Sequence, residues 1–490
     1  EIRDAAKLSG KLTQETSAAI RAELGDKRIK AAVIGPAGEK LVRFAAIVDE
    51  RRTASRGGVG AVMGAKNLKA IAVRGTGHAR VADKARLMEL VKKQMERVKT
   101  DPRLQGFRKL GTAAAVGFCH QMGIYPVRNF QAGIMAGVDG NLTAAKFDEL
   151  YQSDAYCKSC PIHCGSIYKV PPGRFSGEPC EGPEYETLYS FGGEIGNSDP
   201  SLVIEANRLC DDYGVDTMTA GATIGFAMEC YEKGLLDKND LDGSELAWGN
   251  QEAIMALLKK MVLREGAGDL FADGSRMAAQ KIGKGAEKYA IQVKGLELAG
   301  YDPRGLKGLG LNYATAPLGA SHCVGQCPQE LMGTGPNDRF ASAGKGSMCM
   351  MNQDKVAAFE TGIVCIFPMQ FHLIDFAGLA AMLQAATGIE QFGDENYVKL
   401  VGERIWNLER ACNVREGFTR ADDRLPARFL EETHPEGPLA GSTVELEAML
   451  DEYYSVRGWD KKTGFPTRAK LEQLGLKDSA DELARSGRLG

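Results

Sequence analysis

The spacing of apolar residues changes twice along this chain, and each change marks a border. Over residues 1–77, short extended runs alternate with helical ones. Residues 14–24 predict a helix that stops near Gly25, and the runs 29–34 and 42–48 predict strands. Arg56-Gly-Gly-Val-Gly-Ala-Val-Met-Gly64 leads through a short helix to a further strand over 69–74, and Gly75-Thr-Gly77 closes the segment. Beyond residue 80 the period is mostly helical. Residues 83–99 are amphipathic, and in 201–213 Leu202, Val203, Ala206, Leu209, Cys210 and Tyr213 share one face. Further helices are predicted over 217–233, 251–264 and 397–412, with Gly214 and Gly234 ending two of the helices. The glycine-rich stretch 295–310 opens a new regime and puts a second border near 290. The expected architecture is a mixed α/β fold, mostly α. A partial β-rich first domain (1–77) precedes two largely helical domains (78–290 and 291–490).

Composition sharpens this picture. With 490 residues the chain can build two or three full cores. A content of 44% hydrophobic and 26% charged residues is that of a soluble globular protein. A net charge of −3 offers no basic field for nucleic acid. Lacking any apolar run of about 18–20 residues, the sequence predicts no membrane span. Twelve cysteines in a long chain without a secretory signal suit a reducing or anoxic cytoplasm better than a disulfide scaffold. The opening Glu1-Ile-Arg-Asp shows neither an initiator Met nor a targeting pattern, so Glu1 reads as an internal position of something longer.

The chemistry concentrates in Tyr156-Cys157-Lys-Ser-Cys160-Pro-Ile-His-Cys164. Thiolates spaced so closely are ligands for an iron–sulfur cluster or for zinc. Zinc would want a second Cys or Cys/His pair about 12–20 residues on, and Cys180 stands there alone. A [4Fe–4S] cluster is therefore favoured over zinc and over unligated or catalytic thiols, with its fourth ligand drawn from elsewhere. The run Arg56–Gly64 suits an anionic ligand, with Arg56 and Lys66 beside glycines whose N–H groups can approach it. A tight turn packing a helix on a sheet explains the same glycines. Glu184 and Glu186 follow the cysteine run and suit general base chemistry, although paired glutamates are usually solvated. His322, one of six histidines, lies between glycines, where a structural role is the ordinary expectation. Asp211, Asp212 and Asp216 cluster where a helix ends, which opposes the helix dipole unless a donor or cation is near.

As an ordered set these stretches, with Tyr301-Asp-Pro-Arg-Gly, Gly319-Ala-Ser-His and Asn413-Val-Arg-Glu-Gly-Phe-Thr-Arg-Ala-Asp-Asp-Arg-Leu-Pro, resemble the aldehyde ferredoxin oxidoreductases. Those are tungsten enzymes with a bis-pterin cofactor. The resemblance implies oxidation of aldehydes to carboxylic acids, with electrons passed through a 4Fe–4S cluster to ferredoxin or an iron–sulfur subunit. Glu360-Thr-Gly-Ile-Val-Cys365 is similar to the family's Asp-x-x-Gly-Leu-Cys, which makes Cys365 the implied fourth cluster ligand and a pterin contact. The implied pterin set is Arg56, Gly57, Gly58, Asp211, Gly214, Asp216 and Glu360. Tungsten or molybdenum would sit in it, with magnesium bridging the pterin phosphates. Glu186, with Glu184 behind it, would serve as base, and His322 would donate a hydrogen bond at the metal or the aldehyde oxygen.

Two departures accompany the resemblance. Some members hold iron at a dimer interface through Glu-x-x-His, whereas this chain has Glu205-Ala-Asn-Arg208, so no such iron is expected. The family's first domain also begins upstream of Glu1, so 1–77 is read as the C-terminal remnant of the β-rich domain that forms the pterin base. The alternatives are the tungsten subunit of a benzoyl-thioester ring reductase and an inactive or scaffold half-protein. A homodimer or a larger complex suits the family.

Overall fold

The structure, a computed structural model, describes residues 1–331, 333–434 and 436–490. Helices dominate, and strands occur in short pieces. Strands β1 (Lys30–Val33), β2 (Ile47–Asp49), β3 (Arg52–Ala54) and β4 (Ala70–Val73) form an antiparallel sheet in the order β3-β2-β1-β4. Ala31 and Val33 alternate inward along β1 and join Ile20, Ile29 and Val48 in one core. Ile20 reaches that core from the helix Thr13–Leu24. Glu15 accepts the backbone N–H of Leu12 at the start of this helix, and Gly25 ends it at φ 66°. The sequence expectation for this helix therefore holds to within a residue.

The strand expected over 42–48 is mostly absent. Only its last residues join β2, although Val42, Phe44, Ala45 and Ala46 are buried. Their backbone donors are spent elsewhere. Arg43 N–H donates to the carbonyl of Ala272, Ala45 N–H to Val42, and Ala46 N–H to Gly214. An apolar run covered on all sides can be a loop if its N–H groups find such partners. The glycines that follow are explained by the same packing. A Cβ at Gly58, Gly60 or Gly64 would strike the carbonyls of Arg43, Ala46 and Gly38.

Two compact units divide the chain. The first contains Glu1–Thr76, Phe107–Asp302 and His434–Ala440. Besides the sheet it holds the helices Pro200–Tyr213, Thr217–Glu232 and Gln251–Leu263, close to the predicted spans. It also holds the antiparallel strands β5 (Tyr151–Ala155), β6 (Gly165–Tyr168) and β7 (Cys180–Glu181). The second unit contains Gly77–Gly106, Pro303–Thr433 and Gly441–Gly490. The helix Lys84–Thr100 belongs to it because Ala82 and Asp83 donate their N–H groups to Ala386 and Ala385. The helix Lys345–Glu360 is its spine, flanked by Glu395–Arg415 and Leu446–Arg457. Buried Gln353 on this spine donates to Asn312 at 3.1 Å and accepts from Tyr453 at 2.7 Å. Among the described residues no helix is long and apolar enough to cross a membrane.

Candidate functional site

The cysteine run is the loop between β5 and β6, closed at its neck by the pair Ala155 and Gly165. Cys160 N–H donates to the Cys157 carbonyl at 3.0 Å, and Arg108 donates to the carbonyl of Pro161 at 2.9 Å. Tyr156 and His163 stack at 3.9 Å across the base of the loop. Cys157 is exposed, and Cys160 and Cys164 are half-buried. In the second unit Cys365 is exposed as well. All twelve cysteines are free thiols. Cysteine is ordinarily among the most buried residues, and six of these follow that habit. Burial pushes Cys119, Cys180 and Cys230 up to about 12, which makes them poor ligands. The accessible thiols are thus those of the run and Cys365, together with Cys323 and Cys412. This soft donor set fits an iron–sulfur cluster. Among the described residues no three Cys, His, Asp or Glu side chains are gathered as a cage for a single ion.

Glu184 and Glu186 flank the start of the helix Tyr185–Ser190. Thr112 ties down the first of them. Its hydroxyl donates to the Glu184 carboxylate and accepts the N–H of Tyr185 at 2.8 Å. Glu186 points to a different neighbourhood, where the N–H of Gly300 donates to its Oε2 at 2.9 Å. Burial pushes its carboxyl up to about 7 and Asp216 adds to the rise, while the Gly300 bond and Arg56 oppose it. The segment carrying Gly300 is held by stacking of Tyr185 on Tyr301 at 4.9 Å and by the hydroxyl of Tyr189 on the Leu298 carbonyl. Two residues on, Asp302 is buried against His434 at 3.0 Å, a pair that sequence reasoning missed. The only available signal was a histidine scarce in the chain.

Arg56 is brought to the same neighbourhood. Its Nε donates to Asp216 Oδ2 at 3.3 Å and its Nη2 to the Glu297 carbonyl. Asp216 does not burden the helix that ends before it. It caps the next helix, accepting from Met218 and Thr219 N–H at 3.1 and 3.3 Å. Asp212 pairs with Arg208, which also binds Glu205. Burial still raises Asp212 above its ordinary range, and Asp211 goes further, pushed up to about 8 by burial and then by the charges of Asp212 and Glu181. The helix-end cluster is therefore a set of three carboxylates with three separate fates.

The remaining candidates lie in the second unit. His322 sits in a loop held by Asn312, whose amide donates to the Ser321 carbonyl at 2.9 Å. Its Nε2 lies 3.4 Å from Cys323 Sγ, a neighbour that sequence reasoning did not assign. Glu360 ends the spine helix, and burial raises its carboxyl above the usual range. Within the first unit the fold thus joins Arg56, Asp216 and Glu186 and turns Glu184 toward Thr112. Within the second it places Glu360 and Cys365 on one turn.

Accessible thiols and a buried, near-neutral carboxyl are the donor types that a redox enzyme uses. The family model of the aldehyde ferredoxin oxidoreductase N-terminal domain matches residues 1–75, and that of domains 2 and 3 matches 89–476. The chain belongs to the aldehyde ferredoxin oxidoreductase family. It is 42% identical over 493 residues to the tungsten-containing aldehyde ferredoxin oxidoreductase of Pyrococcus furiosus, which covers 97% of this chain and 78% of that one. It is 30% identical to an aliphatic sulfonate oxidoreductase, WOR-like subunit, of the same organism, over 92% of this chain and 71% of that one. The active site complex BamBC of benzoyl coenzyme A reductase is similar in structure, with a TM-score of 0.81 at 27% identity, covering all of this chain and 80% of that one. The expected mixed, mostly helical fold is the fold of this family.

Proposed function

We infer that this protein is a tungsten-dependent enzyme that oxidises aldehydes to carboxylic acids and passes the electrons to a ferredoxin. The observation that carries the reading is the 42% identity, spread over 97% of the chain, to tungsten-containing aldehyde ferredoxin oxidoreductases. The 27% identity of the benzoyl coenzyme A reductase structure ranks ring reduction below it. The reaction consumes one aldehyde and one water and yields one carboxylic acid, two electrons and two protons. When bound, tungsten on its two pterins supplies the two-electron change at the substrate carbon, and the 4Fe–4S cluster supplies single-electron exits.

The chain's own groups take the remaining roles. Glu186, poised at about 7, accepts a proton from water or substrate near neutral pH. Glu184 stands behind it as the second candidate. His322 donates a hydrogen bond where negative charge develops on the aldehyde oxygen. Cys157, Cys160, Cys164 and Cys365 supply the four thiolates of the cluster. Arg56, Asp211, Asp216 and Glu360 hold the pterins, with the backbone at Gly57, Gly58 and Gly214. Asp216 Oδ1 accepts the N–H of Met218, and a carboxylate oxygen can accept a second bond, from a pterin N–H. Magnesium at the pterin phosphates, a homodimer or larger assembly, and an iron–sulfur subunit in place of ferredoxin are finer forms of the same proposal.

The test uses anoxically prepared holoenzyme. Tungsten and iron are expected on metal analysis, with viologen reduction that depends on an aldehyde and not on a benzoyl thioester. Iron without tungsten, or thioester-dependent turnover alone, refutes the reading.

A further inference from the structure

We propose that the exposed face of the helix Lys84–Thr100, with Arg103 and His372, is the docking surface for the acidic face of a one-electron iron–sulfur carrier. The inference rests on reading Cys365 as a cluster ligand where electrons leave the enzyme. Seven Lys and Arg residues stand against three Asp and Glu over 84–103, in a chain whose net charge is −3. The three acids are already neutralised within the segment. Glu89 pairs with Arg86 at 2.8 Å, Glu96 with Lys99 at 3.0 Å, and Asp101 with Arg103 at 2.6 Å. Among the described residues no carboxylate pairs with Lys92, Lys93 or Arg97, and all three side chains are exposed. The local field is therefore positive where the molecule as a whole is not.

The placement ties this field to the electron exit. Arg97 donates to the carbonyl of His372 at 2.7 Å, and Arg103 to the carbonyl of Phe371 at 2.8 Å. Those two residues directly follow the helix Ile366–Gln370, whose N-cap is the exposed Cys365. A helix of that length spans roughly 7 Å, and Arg97 and Arg103 bind the backbone just past its far end. The positive charges of Lys355 and Arg103, after burial, hold the His372 imidazole below its usual range. Met88 and Val91 on the same helix are exposed as well, at 56% and 37%, and add apolar surface beside the charged positions. Weak, fast electron-transfer encounters use such small surfaces, and opposite charge raises their association rate by about 10 to 10³ at low salt.

The experiment compares the holoenzyme with Lys92→Glu/Lys93→Glu and with a control pair, Lys461→Glu/Lys462→Glu, which changes net charge equally at other exposed positions. The acceptors are an acidic low-potential ferredoxin and the small dye benzyl viologen. The 92/93 variant should lose about tenfold or more in kcat/KM for ferredoxin at low salt and show a flatter salt dependence. Its dye reduction should match wild type, and the control pair should move ferredoxin kinetics far less. Binding of oxidised ferredoxin, titrated without turnover, should weaken in step. Equal effects of the two pairs, or none, overturn the proposal. So does a result in which the 92/93 change abolishes binding to anionic lipid vesicles and leaves ferredoxin binding intact. Loss of aldehyde-dependent dye reduction in wild type would refute the proposed function instead, while the ferredoxin titration still decides the docking surface.

Discussion

Residues 211–216 and 360–365 are the same turn built twice with different chemistry. In each, a helix ends, one residue takes a left-handed conformation, a valine follows, and the next residue starts another helix. Val215 N–H returns to the Cys210 carbonyl, and Val364 N–H returns to the Phe359 carbonyl, the same five-residue span. The left-handed position is Gly214 at φ 74° in the first turn and Ile363 at φ 53° in the second. The closing residue is Asp216 in one and Cys365 in the other. Asp216 caps its helix and pairs with Arg56, whereas Cys365 makes no side-chain cap and is exposed. A turn kept while its side chains change is one whose backbone direction matters. The carboxylate serves both the fold and the pterin proposal, whereas the exposed thiol is the proposed cluster ligand.

The largest expected contrast follows from this. Cys365→Ser should remove most ferredoxin reduction and lower iron content, and it costs the fold no helix cap, because this thiol makes no cap bond. Asp216→Asn should do the reverse, keeping iron while losing stability of about 1–2 kcal/mol as the cap and the Arg56 pair weaken. It should lose tungsten too. Metal analysis and a denaturation curve on both variants check the pair. Iron retained in Cys365→Ser would move the fourth ligand elsewhere.

Glu186→Gln is expected to reduce turnover by about 10²-fold or more with iron content unchanged. In wild type the base must be ionised, so kcat/KM should rise with pH through about 7 and then level off. The variant should lose that rise. A pH profile unchanged by the substitution would pass the role to Glu184 or end it.

Asp211 offers a stability test within the first turn. Its folded-state value of about 8 lies above its ordinary 3.8, so the native protein holds the proton more tightly than the unfolded chain. Stability from this group is full below about pH 4 and is lost as pH rises through about 8. Asp211→Asn should therefore raise stability by about 1 kcal/mol or more at pH 8.5 and change little at pH 5. Unfolding curves at the two pH values decide it.

What the sequence made legible was periodic or ordered. The helices at 14–24, 201–213 and 217–233 were visible because apolar faces and end signals agree there. The apolar run 42–48 misled because a strand and a fully covered loop have the same composition, and the deciding partners, Ala272 and Gly214, are distant in sequence. At the candidate site the residue types were legible from their order along the chain. The neutralising details were not. That Arg56 reaches Asp216, that Thr112 claims Glu184, and that Gly300 binds Glu186 are tertiary pairings without local signature.

The smallest expected effect tests the comparison most directly. Ile363 is 95% exposed, so its side chain gains almost nothing from burial. Its left-handed backbone costs about 1–2 kcal/mol for a side chain of this kind. Ile363→Gly removes that strain but frees the unfolded chain, which returns roughly 0.5–1 kcal/mol. The net should be a gain of about 0.5–1 kcal/mol, read as a higher midpoint in denaturant. The reciprocal change, Gly214→Ile, should lose far more than this, because a Cβ there lies 3.0 Å from the Gly35 nitrogen and 3.4 Å from Thr13. If Ile363→Gly destabilises instead, the isoleucine is making a contact in the assembled protein, and the second turn is shaped by a partner rather than by its own hydrogen bonds.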